Sequence, residues 1–93
     1  MKEPTLGNPQ NTIEVLQKYN FVFQKKFGQN FLIDTHVLDK IIAAAEITKD
    51  DFVLEIGPGI GTMTQYLACA ARKVVAVEID KALIPILEDT LSD

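Results

Sequence analysis

The sequence predicts an α/β fold with two parallel strands, and three observations point to it. Residues 52–56 (FVLEI) and 73–79 (KVVAVEI) are short, nearly continuous apolar runs rich in β-branched residues, the pattern of strands buried in a parallel sheet. A helical stretch follows each run, so the order is βαβα. A turn with glycines at 57, 59 and 61 joins the first strand to its helix. Crossovers of this kind are right-handed in about 98% of cases and leave the two strands parallel.

The elements can be justified in order. Asn8-Pro9 reads as a helix entry, with Asn as cap and Pro in the first turn. Ile13, Leu16 and Tyr19 give that helix an apolar side. Residues 20–33 lack helical period, contain Gly28 and carry Phe21, Phe23, Phe27 and Phe31, which predicts an ordered loop. Asp34 or Thr35 can cap a second helix, whose apolar face is Val37, Leu38, Ile41, Ile42 and Ala45. A polar turn over 48–51 leads into the first strand. The helix after the glycine turn covers 62–71, with Met63, Tyr66, Leu67 and Ala70 on one side. Asp80 can cap a last helix over 81–91; Pro85 at its fifth position removes an N–H and predicts an irregular first turn. Residues 1–51 therefore form an N-terminal helical part with its loop, and residues 52–93 a βαβα core.

Composition bounds the function. A complete doubly wound domain usually takes about 100–150 residues, and this chain has 93, so part of such a domain is expected, with modest stability. No run approaches the roughly 18 apolar residues of a membrane span, and MKEPTLGNPQ has no signal-like apolar region. Cys69 is the single cysteine, which excludes an internal disulfide and fits a cytoplasmic setting. The net charge of −4 gives no general support for nucleic-acid binding. Locally, Lys18, Lys25 and Lys26 face one acid, Glu14, over residues 14–26. A local basic patch is one reading of this, and a solvated charge pair is the commoner one for two adjacent lysines.

The glycine turn carries the chemistry. Glycines there permit positive φ and let a ligand approach backbone where a Cβ would collide. Helix-start N–H groups favour an electron-rich ligand, and strand ends are where open α/β sheets bind ligands. A dinucleotide site of the form G-x-G-x-x-G requires glycine at 62, where this chain has Thr62. Glu55, two residues before the turn, suits an ammonium group instead. S-adenosylmethionine has an ammonium and no pyrophosphate, so E-x-G-x-G-x-G fits it better than a dinucleotide; a purely structural turn is the remaining reading. Glu78, at the end of the second strand, can accept from both hydroxyls of a ribose or serve as a helix-capping acid, a task for which Asp80 is better placed.

Lys26-Phe27-Gly28-Gln29-Asn30-Phe31-Leu32, the turn 55–61 and Val77-Glu78-Ile79-Asp80 together resemble the rRNA adenine N6-dimethyltransferases, from about Thr12 to the last residue. Within them, Gly-Pro-Gly-Ile-Gly-Thr-Met-Thr is similar to the bacterial small-subunit (16S) enzymes. The resemblance implies a partial Rossmann-like class I methyltransferase fold and S-adenosyl-L-methionine as cofactor. It further implies dimethylation of two adjacent adenines near the 3′ end of 16S rRNA in the immature small ribosomal subunit. By the same resemblance, Asn30 and Leu32 line the cofactor site, Gly57, Gly59 and Gly61 border the methionine part, and Glu78 holds the ribose. From the residues alone, Gln29 and Asn30 can equally be turn-forming amides, and Phe31 and Leu32 core.

The family's acid for the cofactor adenine and its Asn-Leu-Pro-Tyr catalytic motif do not occur in these residues. The chain is therefore expected to hold cofactor-binding residues, no catalytic residue and no metal site, and to be inactive alone. The family's sheet has further parallel strands, so these two are expected to leave apolar faces uncovered and to favour self-association. Alternatives are a 23S rRNA adenine N6-methyltransferase, whose branch typically has no Pro after the first glycine, a non-catalytic RNA-binding module using Lys25 and Lys26, and a nucleotide-binding oxidoreductase half-domain, disfavoured by Thr62.

Overall fold

The structure, a computed structural model, describes residues 3–20 and 35–92. Its elements are α1 (Pro9–Lys18), α2 (Thr35–Ala45), β1 (Phe52–Ile56), α3 (Thr62–Ala70), β2 (Lys73–Val77), a 3₁₀ turn (Lys81–Leu83) and α4 (Ile84–Thr90). β1 and β2 pair in parallel, from Phe52 opposite Lys73 to Ile56 opposite Val77, with α3 as the crossover. The α/β class with parallel strands is therefore observed.

Local chemistry accounts for the boundaries. The Asn8 side chain accepts from Gln10 N at 2.9 Å and Pro9 occupies the first helical position of α1, where an N–H is not needed. Asn20, just past α1, has φ 49°, a left-handed conformation that asparagine tolerates. Asp80 accepts from Ala82 N at 2.9 Å. Pro85 does make the start of the last helix irregular: the chain passes through the 3₁₀ turn before α4 begins.

The core lies away from the sheet's outer face. Leu6, Ile60, Leu83, Ile86 and Leu87 form one buried cluster, with Val15, Leu16, Tyr19 and Leu91 packed against it. The segment before α1 is thus built into the core beside the glycine turn and α4. A buried amide holds it there. Gln65 Oε1 accepts from Thr5 N and Leu6 N, both at 2.8 Å, and its Nε2 donates to Thr90 O at 2.8 Å. At the surface, Lys18 Nζ and Tyr19 Oη both reach Asp89 Oδ2, at 2.7 and 2.6 Å. Those contacts hold the Asp89 carboxyl below its usual range, the lysine hydrogen bond being the larger cause.

Four sequence expectations need correction. The strands are not buried on both faces: Phe52, Leu54 and Ile56 are 73%, 64% and 73% exposed, and Val75 and Val77 also face outward. Only the Val53 and Val74 side is partly covered, by α3, which packs against β2. The second strand ends at Val77, not at residue 79, because its partner β1 ends at Ile56 and the chain turns away after Gly57, whose N–H is the last to reach β2, at Val77 O. On α1, Ile13 is exposed and Thr12 is buried, its hydroxyl donating to Leu6 O at 2.9 Å. On α3, which ends at Ala70, the buried residues are Thr62, Thr64, Gln65 and Leu67 rather than the apolar stripe of Met63, Tyr66 and Ala70. Polar side chains enter the interior there because each of Thr64 and Gln65 has a partner across an element boundary.

Gly61 illustrates how tight this corner is. It sits at φ 97°, and a Cβ on it would stand 2.8 Å from Thr90 Oγ1 and 3.3 Å from Leu87 Cδ2. Gly61→Ala is therefore expected to lower stability by about 2 kcal/mol, combining left-handed strain with overpacking. Urea denaturation followed by circular dichroism measures it; an unchanged midpoint would show that α4 yields freely.

Candidate functional site

The glycine turn 57–61 leaves the carboxyl end of β1 and is tied to β2 by Gly57 N donating to Val77 O at 2.8 Å. That bond sets the turn beside residue 78. Its three glycines all have positive φ, at 70°, 63° and 97°, but their surroundings differ. A Cβ on Gly57 would meet nothing within 4 Å, whereas one on Gly61 would collide with α4. Gly57 thus borders open space, and Gly61 is fitted to the packing of α4.

Two carboxylates flank the turn. Glu78 Oε1 accepts from Gly59 N and its Oε2 accepts from Asp80 N, each at 3.0 Å. An ionised carboxylate offers about four lone-pair sites, so two acceptor positions remain on a half-buried side chain. Capping of the following turn falls to Asp80. Glu55, near the end of β1, is half-buried, and its Oε1 accepts a hydrogen bond from the Thr64 hydroxyl. Burial pushes the Glu55 carboxyl up from its ordinary value, and the Thr64 hydroxyl pulls it back. At the start of α3, Thr62 fills the place a dinucleotide motif gives to glycine, and its Oγ1 is buried with no hydrogen-bond partner among the described residues.

The structure therefore brings Gly57, Gly59, Glu55 and Glu78 to one end of the two-stranded sheet. Asn30 and Leu32 lie outside the described residues, as do Lys25, Lys26 and the four Phe of 21–31. Sequence reasoning missed Thr64 and Gln65, whose only signal was a polar residue on a helix otherwise read as apolar on one side. A separate open groove of about 410 Å³ between the N-terminal segment, α1 and α4 is lined by Glu14, Lys18 and Asp89, among others. None of the turn residues borders it. No cluster of metal-ligating residues occurs among the described residues, and no described helix is long and apolar enough to cross a membrane.

The ribosomal RNA adenine dimethylase family matches residues 20–93. The chain belongs to this family. It is 81% identical over 88 residues to a ribosomal RNA small subunit methyltransferase A of Lachnoclostridium phytofermentans, covering 94% of this chain and 30% of that protein. A protein of the same name from Clostridioides difficile is 58% identical over 88 residues, covering 95% of this chain and 30% of its own length. Among solved structures, a dimethyladenosine transferase from Plasmodium falciparum matches with a TM-score of 0.61 and 41% identity, over 68% of this chain and 24% of that one. The chain thus spans about 30% of the length of the curated relatives it matches. Membership in the dimethylase family assigns the turn, the parallel strands and their crossover helix to a Rossmann-like methyltransferase fold.

Proposed function

We propose that this chain carries the methyl-donor-binding part of an rRNA adenine N6,N6-dimethyltransferase, with S-adenosyl-L-methionine held at the glycine turn. The observation that carries the reading is the Glu78 carboxylate, bonded to Gly59 N at 3.0 Å beside the open face of Gly57. An acid at a strand end is what holds ribose hydroxyls in dinucleotide folds, and Glu78 has acceptor capacity left there. Gly57 leaves room for a ligand against the backbone, and Glu55 Oε2 has no hydrogen-bond partner among the described residues, which suits an ammonium group. Asn30 and Leu32 complete the proposed set, on the family resemblance.

When bound, the cofactor supplies an electrophilic methyl on a sulfonium sulfur. The chain's own residues bind and orient: Glu78 anchors the ribose in the middle of the ligand, the turn presents backbone without side chains, and Glu55 meets the positive charge at the methionine end. No residue of this chain is assigned to the target adenine. The names of the relatives, ribosomal RNA small subunit methyltransferases, support the small-subunit reading over the 23S one; 16S rRNA in the immature subunit and a cytoplasmic setting are what the family resemblance adds to the proposal. Pro58 inside the turn agrees with that choice.

Glu78→Ala is expected to weaken S-adenosylmethionine binding by about 1–3 kcal/mol, the cost of leaving ribose hydroxyls without a charged acceptor. Calorimetry on the full-length enzyme and on its Glu78→Ala variant is the test. An unchanged dissociation constant would remove Glu78 from the ribose and leave it as a strut of the turn.

A further inference from the structure

We propose that Thr64 is a positioning residue of this site: its hydroxyl holds the Glu55 carboxyl by one oxygen and leaves the other for the ammonium group of the ligand. The inference rests on the cofactor reading above and names the part of the site that meets positive charge.

The geometry is specific to this helix start. Thr64 is 3% exposed and lies three residues past Gly61, so its hydroxyl is enclosed at the junction of α3 with the sheet. A helical threonine ordinarily bonds back to the carbonyl four residues earlier. Here that carbonyl, Ile60 O, accepts from Thr90 Oγ1 at 2.8 Å, and Thr64 donates across to Glu55 Oε1 instead. A β-branched residue has no propensity advantage in a helix, so packing and this one bond are what the position uses. Glu55 Oε2 has no partner among the described residues.

Among the described residues, the hydroxyl is the main support of a charged Glu55. α3 contains no Asp, Glu, Lys or Arg, its titratable groups being Tyr66 and Cys69. Ala76 stands opposite Glu55 on β2, and the turn 57–61 carries no charge. The nearest acid along the sheet end, Glu78, is bonded to Gly59 N and Asp80 N. Burial favours the neutral acid, and a neutral acid attracts an ammonium group poorly. The Thr64 bond opposes that drift, and a bound ammonium would oppose it further.

The test is a carbon-detected NMR titration of the Glu55 carboxyl in the chain, in Thr64→Val and in Thr64→Ser, with and without S-adenosylmethionine. Calorimetric affinities are taken over the same pH range. Valine keeps the volume and removes the donor; serine keeps the donor. The Glu55 midpoint is expected to rise in Thr64→Val, to return toward the parent value in Thr64→Ser, and to fall on adding cofactor. The pH below which affinity declines should move up with the midpoint, giving Thr64→Val a loss of severalfold near that midpoint that shrinks at higher pH. A midpoint unmoved by Thr64→Val, or an affinity loss with the same pH profile as the parent, overturns the inference. So does cofactor that shifts the Gly57 and Gly59 amides yet leaves Glu55 unmoved, although binding at the turn then stands. Absence of any cofactor-dependent shift removes both readings.

Discussion

Gln65→Leu is expected to lower the stability of the chain by about 3–5 kcal/mol, as measured by urea denaturation with circular dichroism. One side-chain amide satisfies two backbone N–H groups, of Thr5 and Leu6, and one carbonyl, of Thr90. Leaving a buried donor or acceptor unpaired costs about 1–3 kcal/mol each, and Leu6 itself is 1% exposed. Leucine matches the volume closely, so the loss comes from the unpaired groups and not from a cavity. A domain of this length has about 5–14 kcal/mol in total, so the variant should sit near its unfolding threshold. The N-terminal segment should loosen first, because Leu6 leaves the core with its anchor. Proteolysis near residues 3–8 would report that separately. A variant as stable as the parent would mean that water replaces the amide and that the segment is held by Leu6 alone.

This clamp also shows what was legible in the sequence. The strands, their order and the crossover could be read because β-branched runs and a glycine turn are local signals. The helix starts at Asn8-Pro9 and Asp80 could be read for the same reason. Gln65 could not, since an isolated glutamine in a helix looks solvent-facing and its partners lie 59 and 60 residues away. Similarly, Gly57 and Gly61 look alike as letters, yet one borders open space and the other is packed against α4. Glu78 could be placed at the strand end, but its bond to Gly59 N depends on how the turn folds back onto β2. The strands' burial was overread: an apolar run shows that two faces can be buried, not that both have neighbours. Asn30 and Leu32 rest on the resemblance alone.

The uncovered sheet face gives the second large effect, concentration-dependent association of the chain with itself. Phe52, Leu54, Ile56, Val75 and Val77 are each more than half exposed, at 73%, 64%, 73%, 51% and 52%. The register puts Leu54 opposite Val75 and Ile56 opposite Val77, so they form one contiguous apolar surface, of a kind monomeric proteins rarely expose. Among the described residues the sheet has two strands, and their outer edges carry backbone groups able to pair with another chain. Face-to-face packing of two copies would bury these side chains; each large apolar residue buried contributes about 1.5–3 kcal/mol. Light scattering over a concentration series should therefore show a mass rising toward at least twice the 10.3 kDa of one chain. Leu54→Lys puts a charge at the centre of the face without touching the core of Leu6, Ile60 and Leu83, and should weaken association by about ten- to a hundredfold. Ile13→Lys, on the exposed side of α1, should leave it unchanged. A chain that stays monomeric at all concentrations, or a Leu54→Lys variant that associates as strongly as the parent, would show that this face is not where copies meet.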